Sequence, residues 1–592
     1  MAFTVAQGWS RPHRLPESRI WVAADGAATE VTSGPGADRL PRWSADGRSL
    51  AYVSDRDARG RTTVSLLGSD APLADLAGSV EALHWLPGGE DLLLIVSDPD
   101  GSPEGNDPRV LQPSGAHRRL LSLDALTGAA AELGPEDITI WELGEGSDGR
   151  AVAIVSEDPS ESGWYSAWLA LLDLETRTAT AIHRPTWQIS TPRISPDGAS
   201  VAFVEGICSD RGVLAGMVSI APLERGSVRT FPLELDVSDL LWLDPTSLLC
   251  AGWRGMGSVC GVLSVDGSWD ELWAGESTLG QGGRPAISAS TDGTTIAAIK
   301  QSLAEPAEAT ALDTGRLGAG WRPLSRLNAE PAAELVLPQW RTLCWRAPDG
   351  LEIAGLLALP RAPLPGPLPL VVLVHGGPTG VWSFQFAQLP VLLATAGYAV
   401  LLPNPRGSTG RGQEFARATI GDLGGAELGD ILAGVDACVA AGVADGDRVG
   451  IAGGSHGGYM AAWAVTQTER FAAAVPWACV SDLLSAHYGS NIAGLDDVFM
   501  GTRPHQSALL YVERSPVVYA HRCATPTLIV HGEDDPFCPV GQAHELYEAL
   551  VAAGVETELV VYPREGHGWN ERDHVLDFWR RTCAWLDRHL AA

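Results

Sequence analysis

The chain has 592 residues, which is too long for a single hydrophobic core and predicts two or three domains. Hydrophobic residues make up 45% and charged residues 19% of the chain, the balance of a folded globular protein. The formal net charge of −31 argues against binding to nucleic acid or to an anionic membrane surface.

The nine cysteines are scattered, with no pairing rhythm and no C-x-x-C spacing. This pattern favours free thiols in a reducing compartment over a disulfide framework or a zinc site. The first residues lack a basic start followed by an apolar run, and no stretch of 18 apolar residues follows. We therefore expect a cytoplasmic protein with no membrane span, no metal and no other cofactor.

Residues 1–335 repeat a unit in which an Asp-Gly or Pro-Gly turn joins short strands of alternating apolar residues. The clearest units cover residues 41–53, 84–95, 192–204, 241–249 and 285–298, with a weaker copy at 141–155. They recur roughly every 42 to 56 residues, which suits four-stranded propeller blades. Six copies are present, and an opening strand near residues 20–31 is expected to close the ring with a late partner. Together they predict a seven-bladed propeller. Six or eight blades, a β-sandwich and a solenoid are the alternatives.

The pattern changes after about residue 335. Continuous apolar runs such as 368–375 and 526–531 alternate with helix-like segments such as 544–550. Continuous strands alternating with helices predict a mostly parallel, doubly wound sheet. Residues 336–592 are therefore predicted to form a second domain.

Residues 453–457 form a G-x-S-x-G sequence between an apolar run and a helix-like run. In that setting the motif is typical of the nucleophile elbow of an α/β-hydrolase, where a sharp turn exposes the serine hydroxyl. The flanking glycines are needed because side chains there would collide with the neighbouring strand and helix. Ser455 is the predicted nucleophile.

A serine hydroxyl needs a neighbouring base, and the base needs an orienting carboxylate. In α/β-hydrolases these follow the serine in the order acid then histidine, each after a strand. His567, flanked by glycines just beyond the last predicted strand, is the predicted base. Glu533, Asp534 and Asp535 all follow the preceding strand, and their positions alone do not choose the acid.

Two backbone N–H groups are expected to stabilise the negative oxygen that forms during the reaction. One belongs to His456, the residue after the nucleophile. The other is expected from the loop at 375–378, where two glycines after the first long strand let the backbone approach a substrate closely.

Five motifs together resemble the prolyl oligopeptidase family, and within it most closely the acylaminoacyl-peptidase and dipeptidyl-aminopeptidase-like branch. The motifs are residues 375–378 (H-G-G-P), 404–410 (N-P-R-G-S-T-G), 453–460 (G-G-S-H-G-G-Y-M), 531–535 (H-G-E-D-D) and 566–568 (G-H-G). The resemblance covers residues 368–568, and members of that family carry a propeller before the hydrolase domain. It implies a serine peptidase.

The resemblance also implies residue roles. The family's acid lies four residues before a proline, which selects Asp535, and the second N–H donor is implied to be that of Gly377. The specificity pocket is implied to involve an apolar segment with embedded carboxylates. The candidate substrate contacts are Val480, Leu483, Asp497, Val498, Phe499 and Phe537. Such a pocket would suit an apolar side chain beside a free α-amine, while the alternative is that Asp497 only caps a helix.

Two positions depart from the family pattern. Phe537 stands where many acylaminoacyl peptidases have a substrate-contacting arginine, and Arg411 replaces a tyrosine after the second strand. Recognition of an acylated N-terminus therefore does not carry over, and the preference between free and acylated peptides stays open.

Three functions are compatible with these features. The first is a serine aminopeptidase or acylaminoacyl peptidase acting on short peptides. The second is an amide or ester hydrolase of a small aminoacyl compound, such as the aminoacyl-nucleoside antibiotic puromycin. The third is a non-catalytic propeller scaffold with a relic hydrolase domain. The expected partners are a short peptide or a small aminoacyl amide and not nucleic acid or membrane, with homo-oligomerisation left open.

Overall fold

The computed structural model describes the chain except for a few short segments. Those segments are residues 11–15, 25, 56–60, 70, 87–88, 90, 99–116, 145–148, 225, 281 and 591–592. The Pro-Gly turn expected at residues 87–88 lies outside the described residues, and so does part of the weak repeat at 141–155.

The N-terminal part forms seven antiparallel sheets, each built from strands that follow one another in the chain. The seven-bladed propeller predicted from the repeats is confirmed. Blade 1 contains β1 (Ala2–Ala6), β2 (Ser18–Ala24) and β3 (Ala27–Glu30); blade 2 contains β4 (Asp38–Trp43), β5 (Leu50–Ser54), β6 (Arg61–Leu66) and β7 (Ala74–Ala77); blade 3 contains β8 (Ser79–Trp85), β9 (Asp91–Ser97), β10 (Arg118–Asp124) and β11 (Ala130–Glu132).

The remaining blades continue the same meander. Blade 4 contains β12 (Thr139–Gly144), β13 (Arg150–Ser156), β14 (Trp168–Asp173) and β15 (Thr178–His183); blade 5 contains β16 (Gln188–Ile194), β17 (Ser200–Gly206), β18 (Met217–Pro222) and β19 (Arg229–Phe231). Blade 6 contains β20 (Asp236–Asp244), β21 (Ser247–Arg254), β22 (Gly257–Ser264) and β23 (Trp269–Gly275); blade 7 contains β24 (Thr278–Leu279), β25 (Ser288–Ala289), β26 (Thr295–Gln301), β27 (Glu308–Asp313) and β28 (Arg322–Pro323).

The recurring Asp-Gly turns join the first and second strands of several blades. In blade 5 the Asp197 carboxylate accepts hydrogen bonds from the Ser195 hydroxyl at 2.6 Å and from the Ala199 N–H at 3.1 Å. Gly198 follows with φ 69°, a conformation that favours glycine. The tryptophans of the repeat tie neighbouring blades together, since the indole N–H of Trp242 in blade 6 donates to the carbonyl of Arg193 in blade 5.

The ring closes differently from the expectation. The opening strand does not pair with a late partner: within the described residues the first sheet contains only β1, β2 and β3. Phe3 and Ala23 of blade 1 instead pack against Ala309, Ala311 and Leu324 at the other end of the propeller. The sequence missed β1 because neither an Asp-Gly nor a Pro-Gly turn links it to β2.

The C-terminal part is built on one eight-stranded sheet in the order β29-β30-β32-β31-β33-β34-β35-β36, in which the pairs from β32 to β36 are parallel. Its strands are β29 (Gln339–Arg346), β30 (Glu352–Leu359), β31 (Leu368–Val374), β32 (Ala399–Asn404), β33 (Ala444–Gly454), β34 (Ala473–Trp477), β35 (Thr527–Gly532) and β36 (Thr557–Tyr562). Both faces are buried, since Val372 packs into one core cluster and Val371 into the other. Burial on both faces explains why β31 is continuously apolar.

Ten α-helices accompany the sheet in the described part of the chain. They are α1 (Ala329–Ala333), α2 (Gln388–Thr395), α3 (Gln413–Ala416), α4 (Ala426–Ala440), α5 (His456–Gln467), α6 (Leu483–Gly489), α7 (Ala493–Met500), α8 (Pro504–Glu513), α9 (Gly541–Ala552) and α10 (Arg572–Leu590). None of these helices is both long enough and apolar enough to cross a membrane.

A buried carboxylate joins the two domains. Asp236, at the start of β20, accepts hydrogen bonds from the N–H groups of Gly410 at 2.7 Å and Gly412 at 3.0 Å, and from the side-chain amide of Gln413 at 3.1 Å. The oxygen of the same amide accepts the N–H of Ile207 at 2.8 Å. The N-P-R-G-S-T-G loop thus holds the propeller against the C-terminal domain.

Candidate active site

The sharp turn predicted at Ser455 lies between β33 and α5. Ser455 has φ 58° and ψ −124°, an unusual backbone conformation for a residue other than glycine. Such strain costs on the order of 1–3 kcal/mol and persists only where the surroundings impose it. The helix crosses so close to the sheet that a Cβ on Gly457 would lie 2.2 Å from the carbonyl oxygen of Val374. This crossing holds the serine, partly accessible, at the carboxyl edge of the sheet.

Of the three carboxylates in the predicted acid loop, Asp535 is the one that meets His567. Its Oδ2 lies 2.8 Å from the Nδ1 of His567, and its Oδ1 accepts the N–H groups of Phe537 and Cys538. Glu533 and Asp534 are exposed to solvent. A proton held on Nδ1 leaves Nε2 of the neutral ring free to accept another.

Two neighbouring rings support this pair. His531 is fully buried and donates from Nε2 to the carbonyl of Cys538 at 2.7 Å, which braces the loop that carries Asp535. The ring of Phe537 packs edge-on against His567 with ring centres 5.2 Å apart. His531 therefore has a structural position, and Phe537 contacts the predicted base.

His375 fixes the loop that carries the two expected glycines. Burial lowers the pKa of His375 to about 4, so the ring is neutral at ordinary pH. Its Nδ1 lies 2.8 Å from the carbonyl oxygen of Gly376, and because a carbonyl only accepts, Nδ1 carries the proton. In a trans peptide the next N–H points the opposite way, so this bond turns the N–H of Gly377 away from His375. The loop lies beside Ser455, whose Cβ would be 3.4 Å from a Cβ on Gly376.

His456 has a partner that the sequence did not reveal. Its side chain is buried at the start of α5, and its Nε2 lies 3.0 Å from Oε2 of the buried Glu427. The other oxygen of Glu427 accepts the N–H of Gly424. At the start of α5 the backbone N–H of His456 has no intrahelical acceptor, which suits the predicted donor role. No motif connects His456 to a glutamate 29 residues earlier.

Ser455 and His567 line one cavity of about 440 Å³ between the two domains. The C-terminal domain contributes polar groups from the 375–380 loop and two indoles, those of Trp382 and Trp477. The propeller residues in the lining are Ser209, Asp210, Val213, Trp253 and Gly283. The chain has 21 tryptophans and no motif at Asp210, so no sequence pattern singled out these propeller positions.

Most of the predicted substrate contacts lie elsewhere in the described structure. Leu483 and Phe499 are buried in the core of the C-terminal domain, and Val480 and Val498 pack against them. Asp497 forms an ion pair with Arg503 at 3.1 Å. None of these five residues lines the cavity beside Ser455, because their segment faces the core and the propeller loops occupy the space over the cavity.

Three possible metal ligands converge among the described residues. Ligand atoms of Asp535, Cys538 and His567 lie within 4.8 Å of one another. Burial raises the pKa of the Cys538 thiol well above its usual range, which disfavours the thiolate that binds metals. A metal here would also compete for Nδ1 of His567, so the group is better explained by the Asp535–His567 hydrogen bond.

The low pKa of His375 makes stability depend on pH. The pKa is about 4 in the folded chain and 6.5 for an ordinary histidine, so the unfolded chain binds more protons between these values. The stabilising contribution is complete above pH 6.5 and declines towards pH 4, by at most about 1.4 kcal/mol per pH unit. Burial lowers the pKa of His531 as well, which adds a change of the same sign.

We expect the melting temperature to drop between pH 7 and pH 5, and to drop less in His375→Asn, which keeps an N–H donor but does not titrate. Thermal unfolding followed by circular dichroism at both pH values provides the measurement. The Asp534→Asn variant, changed at an exposed site, is the control. An equal drop in wild type and His375→Asn would contradict the assignment of a neutral buried ring.

Comparison with known proteins finds a family match for the C-terminal domain. Residues 382–592 match the prolyl oligopeptidase family. The uncharacterized peptidase YuxL of Bacillus subtilis is 28% identical over 97% of this chain and 94% of its own length. The acylamino-acid-releasing enzyme of Sus scrofa is 30% identical over 41% of this chain, a match that spans only 34% of that enzyme.

Solved structures share the whole architecture. The acylaminoacyl peptidase of Pyrococcus horikoshii superimposes with a TM-score of 0.82 at 20% identity, covering 100% of this chain and 94% of that one. A puromycin-hydrolyzing peptidase of Mycobacterium tuberculosis gives a TM-score of 0.76 at 22% identity, covering 97% and 91%. The chain is thus a serine-type hydrolase whose C-terminal domain matches the prolyl oligopeptidase family, with a seven-bladed propeller in front of that α/β-hydrolase domain.

Proposed function

We propose that this hydrolase cleaves amide bonds of short peptides with Ser455 as nucleophile, His567 as base and Asp535 as the carboxylate that orients the base. The observation that carries the proposal is the 2.8 Å Asp535–His567 contact in the cavity that also contains the strained Ser455. The arrangement has the parts of a serine-histidine-aspartate triad.

In the proposed reaction, the Ser455 oxygen attacks the substrate carbonyl carbon while its proton passes to Nε2 of His567. The carbonyl oxygen becomes negative and binds to the N–H groups of Gly377 and His456. The His567 proton then passes to the departing amine, and the amide bond breaks. Water, activated by the same histidine, hydrolyses the acyl-enzyme that remains. Asp535 keeps the proton of His567 on Nδ1 throughout.

The cavity supports a small or extended substrate. Its volume of about 440 Å³ is in the range of small-molecule sites, and residues of both domains line it. We therefore propose an exopeptidase, either aminopeptidase-like or acylaminoacyl-peptidase-like. The second candidate is a hydrolase of small aminoacyl amides such as puromycin, favoured by the three indoles of Trp253, Trp382 and Trp477 around the cavity. Rates on aminoacyl anilides, short peptides and puromycin would separate the two candidates.

A cytoplasmic location and action without a metal belong to the same proposal. All nine cysteines are free, and seven of them are buried, as suits a reducing compartment. The negative net charge continues to argue against nucleic-acid and membrane partners.

The direct test is labelling with a fluorophosphonate, which reacts with an activated serine. We expect the wild-type chain to be labelled at Ser455, and Ser455→Ala to lose both labelling and turnover with little change in melting temperature. Labelling at another serine, or turnover in Ser455→Ala close to that of the wild type, would refute the nucleophile assignment.

The acid assignment has a matched pair of variants in adjacent residues. Asp535→Asn keeps the shape of the side chain but favours the wrong imidazole tautomer, so kcat should fall by about 10⁴-fold. Asp534→Asn removes the same charge at an exposed position and should leave kcat near the wild-type value. The reverse result, a severe loss in Asp534→Asn alone, would show that the other carboxylate orients the base.

Enclosure of the cavity predicts selection by substrate size. A folded domain of 100 residues has a radius of gyration near 13 Å and cannot enter a space of this volume. We expect cleavage of peptides of about two to ten residues and no cleavage of folded proteins. The measurement compares the rate on a short peptide with the rate on the same sequence in the loop of a folded protein. Similar rates would mean that the propeller does not restrict access.

A further inference from the structure

A propeller carboxylate faces the cavity that contains Ser455. Asp210 lies in the loop between β17 and β18 and lines the same cavity as Ser455 and His567. The hydroxyl of Ser209 donates to its Oδ2 at 2.7 Å. The proposed reaction makes no use of Asp210, so its position needs another explanation.

The loop holds Asp210 in a fixed place relative to the reacting groups. The N–H of Ser209 donates to the hydroxyl oxygen of Thr379 at 2.9 Å, and the hydroxyls of the two residues are also 2.9 Å apart. Thr379 belongs to the loop that presents Gly377. The hydroxyl of Tyr165 donates to the carbonyl of Ser209 at 2.5 Å, which anchors the Asp210 loop to the propeller. Asp210 is thus coupled directly to the loop beside the nucleophile.

No cation of the described chain neutralises Asp210. Arg211, the next residue, turns to the propeller, where it forms ion pairs with Glu81 at 3.4 Å and Glu161 at 3.3 Å. Among the described residues, no Lys, Arg or His lies within ion-pairing distance of the Asp210 carboxylate. Burial raises the pKa of Asp210, because a carboxylate removed from water is destabilised, and this effect exceeds the opposing effects of the Ser209 hydrogen bond and of His567 and His456. A cation from the substrate would relieve that cost.

We propose that Asp210 binds the protonated α-amine of the substrate, so that the enzyme acts on peptides or aminoacyl amides with a free N-terminus. The inference rests on the proposed function and decides between its aminopeptidase-like and acylaminoacyl-peptidase-like forms.

A substrate with an acylated N-terminus would bind less well beside the Asp210 carboxylate than one with a free amine. An ammonium group gives the carboxylate a charge-assisted hydrogen bond, which contributes more than a neutral one. An N-acetyl group offers no charge and would leave Asp210 desolvated and unpaired, which is costly in an enclosed site. The loss of one hydrogen bond to a charged group corresponds to about 10- to 100-fold in kcat/KM.

The test uses alanyl, leucyl and phenylalanyl p-nitroanilides, each with its N-acetyl and its desamino counterpart. In the wild type we expect kcat/KM for the best free-amine substrate to exceed that of both counterparts by about 10- to 100-fold. The desamino compound has nearly the same shape without the charge, so it separates the charge from the bulk of the acetyl group. Equal or faster hydrolysis of the acetylated or desamino compounds would overturn the proposal.

Variants of Asp210 test whether this residue causes the preference for a free amine. Asp210→Asn should lose most of the preference through slower turnover of free-amine substrates, with acetylated substrates unchanged or faster. Asp210→Glu keeps the charge and should retain a preference. Glu157→Gln, which removes one negative charge at an exposed propeller position, should behave as wild type. Full preference in a folded Asp210→Asn would exclude Asp210, and if that variant fails to fold, the wild-type comparison still decides.

Failure of this inference can be told apart from failure of the proposed function. If Ser455 is not the nucleophile, the fluorophosphonate will not label Ser455. Hydrolysis of p-nitrophenyl acetate, which lacks an amine, will then be no slower in Ser455→Ala than in the wild type. If only the role of Asp210 is wrong, Ser455 will be labelled and the ester hydrolysed, but the wild type will show no preference for a free amine or the folded Asp210→Asn variant will keep that preference.

Discussion

Three hydrogen bonds to the buried carboxylate of Asp236 hold the loop after β32 against the propeller. The shared cavity depends on this contact, because its walls come from two domains whose loops must stay in register. Leaving backbone N–H groups unpaired in a buried interface is costly, so the two domains are strongly coupled at this point. The loop after β32 therefore joins the two domains whose residues Asp210 and Ser455 line one cavity.

Local chemistry explains which features could be predicted from the sequence. The Asp197 turn and its equivalents identified the blades, since the bonds within each turn involve residues two or three apart. The elbow at Ser455 and the order of acid and base were equally readable, because they depend on strand ends. Choosing among the three acid-loop carboxylates required the resemblance to a family, and the structure brings Asp535 to His567.

Features that depend on distant contacts could not be predicted. Leu483 and Phe499 belong to the segment that the family resemblance implied as a specificity pocket, but in this structure both side chains are buried in the core of the C-terminal domain. Glu427 approaches His456, and Asp210 approaches the nucleophile, only after the chain has folded. The family match begins at residue 382, so the propeller, which supplies Asp210, lies outside it. The proposed triad and Asp210 thus lie in different domains, and only the domain with the triad is covered by the family match.

The first and last blades of the propeller meet only through packed side chains in the described structure, so the hydrolase domain has a role in holding them together. Ser10, which follows β1, donates its N–H to the carbonyl of Asn570 at 2.6 Å, while Gln301 in blade 7 accepts the N–H of Phe386 at 3.2 Å. The chain on each side of the junction between blade 1 and blade 7 is therefore hydrogen-bonded to the hydrolase domain. The hydrolase domain therefore bridges the first and last blades and holds the ring closed, a task that a β-sheet shared between the two ends of the propeller would otherwise perform. A propeller separated from this domain would lose both of these hydrogen bonds.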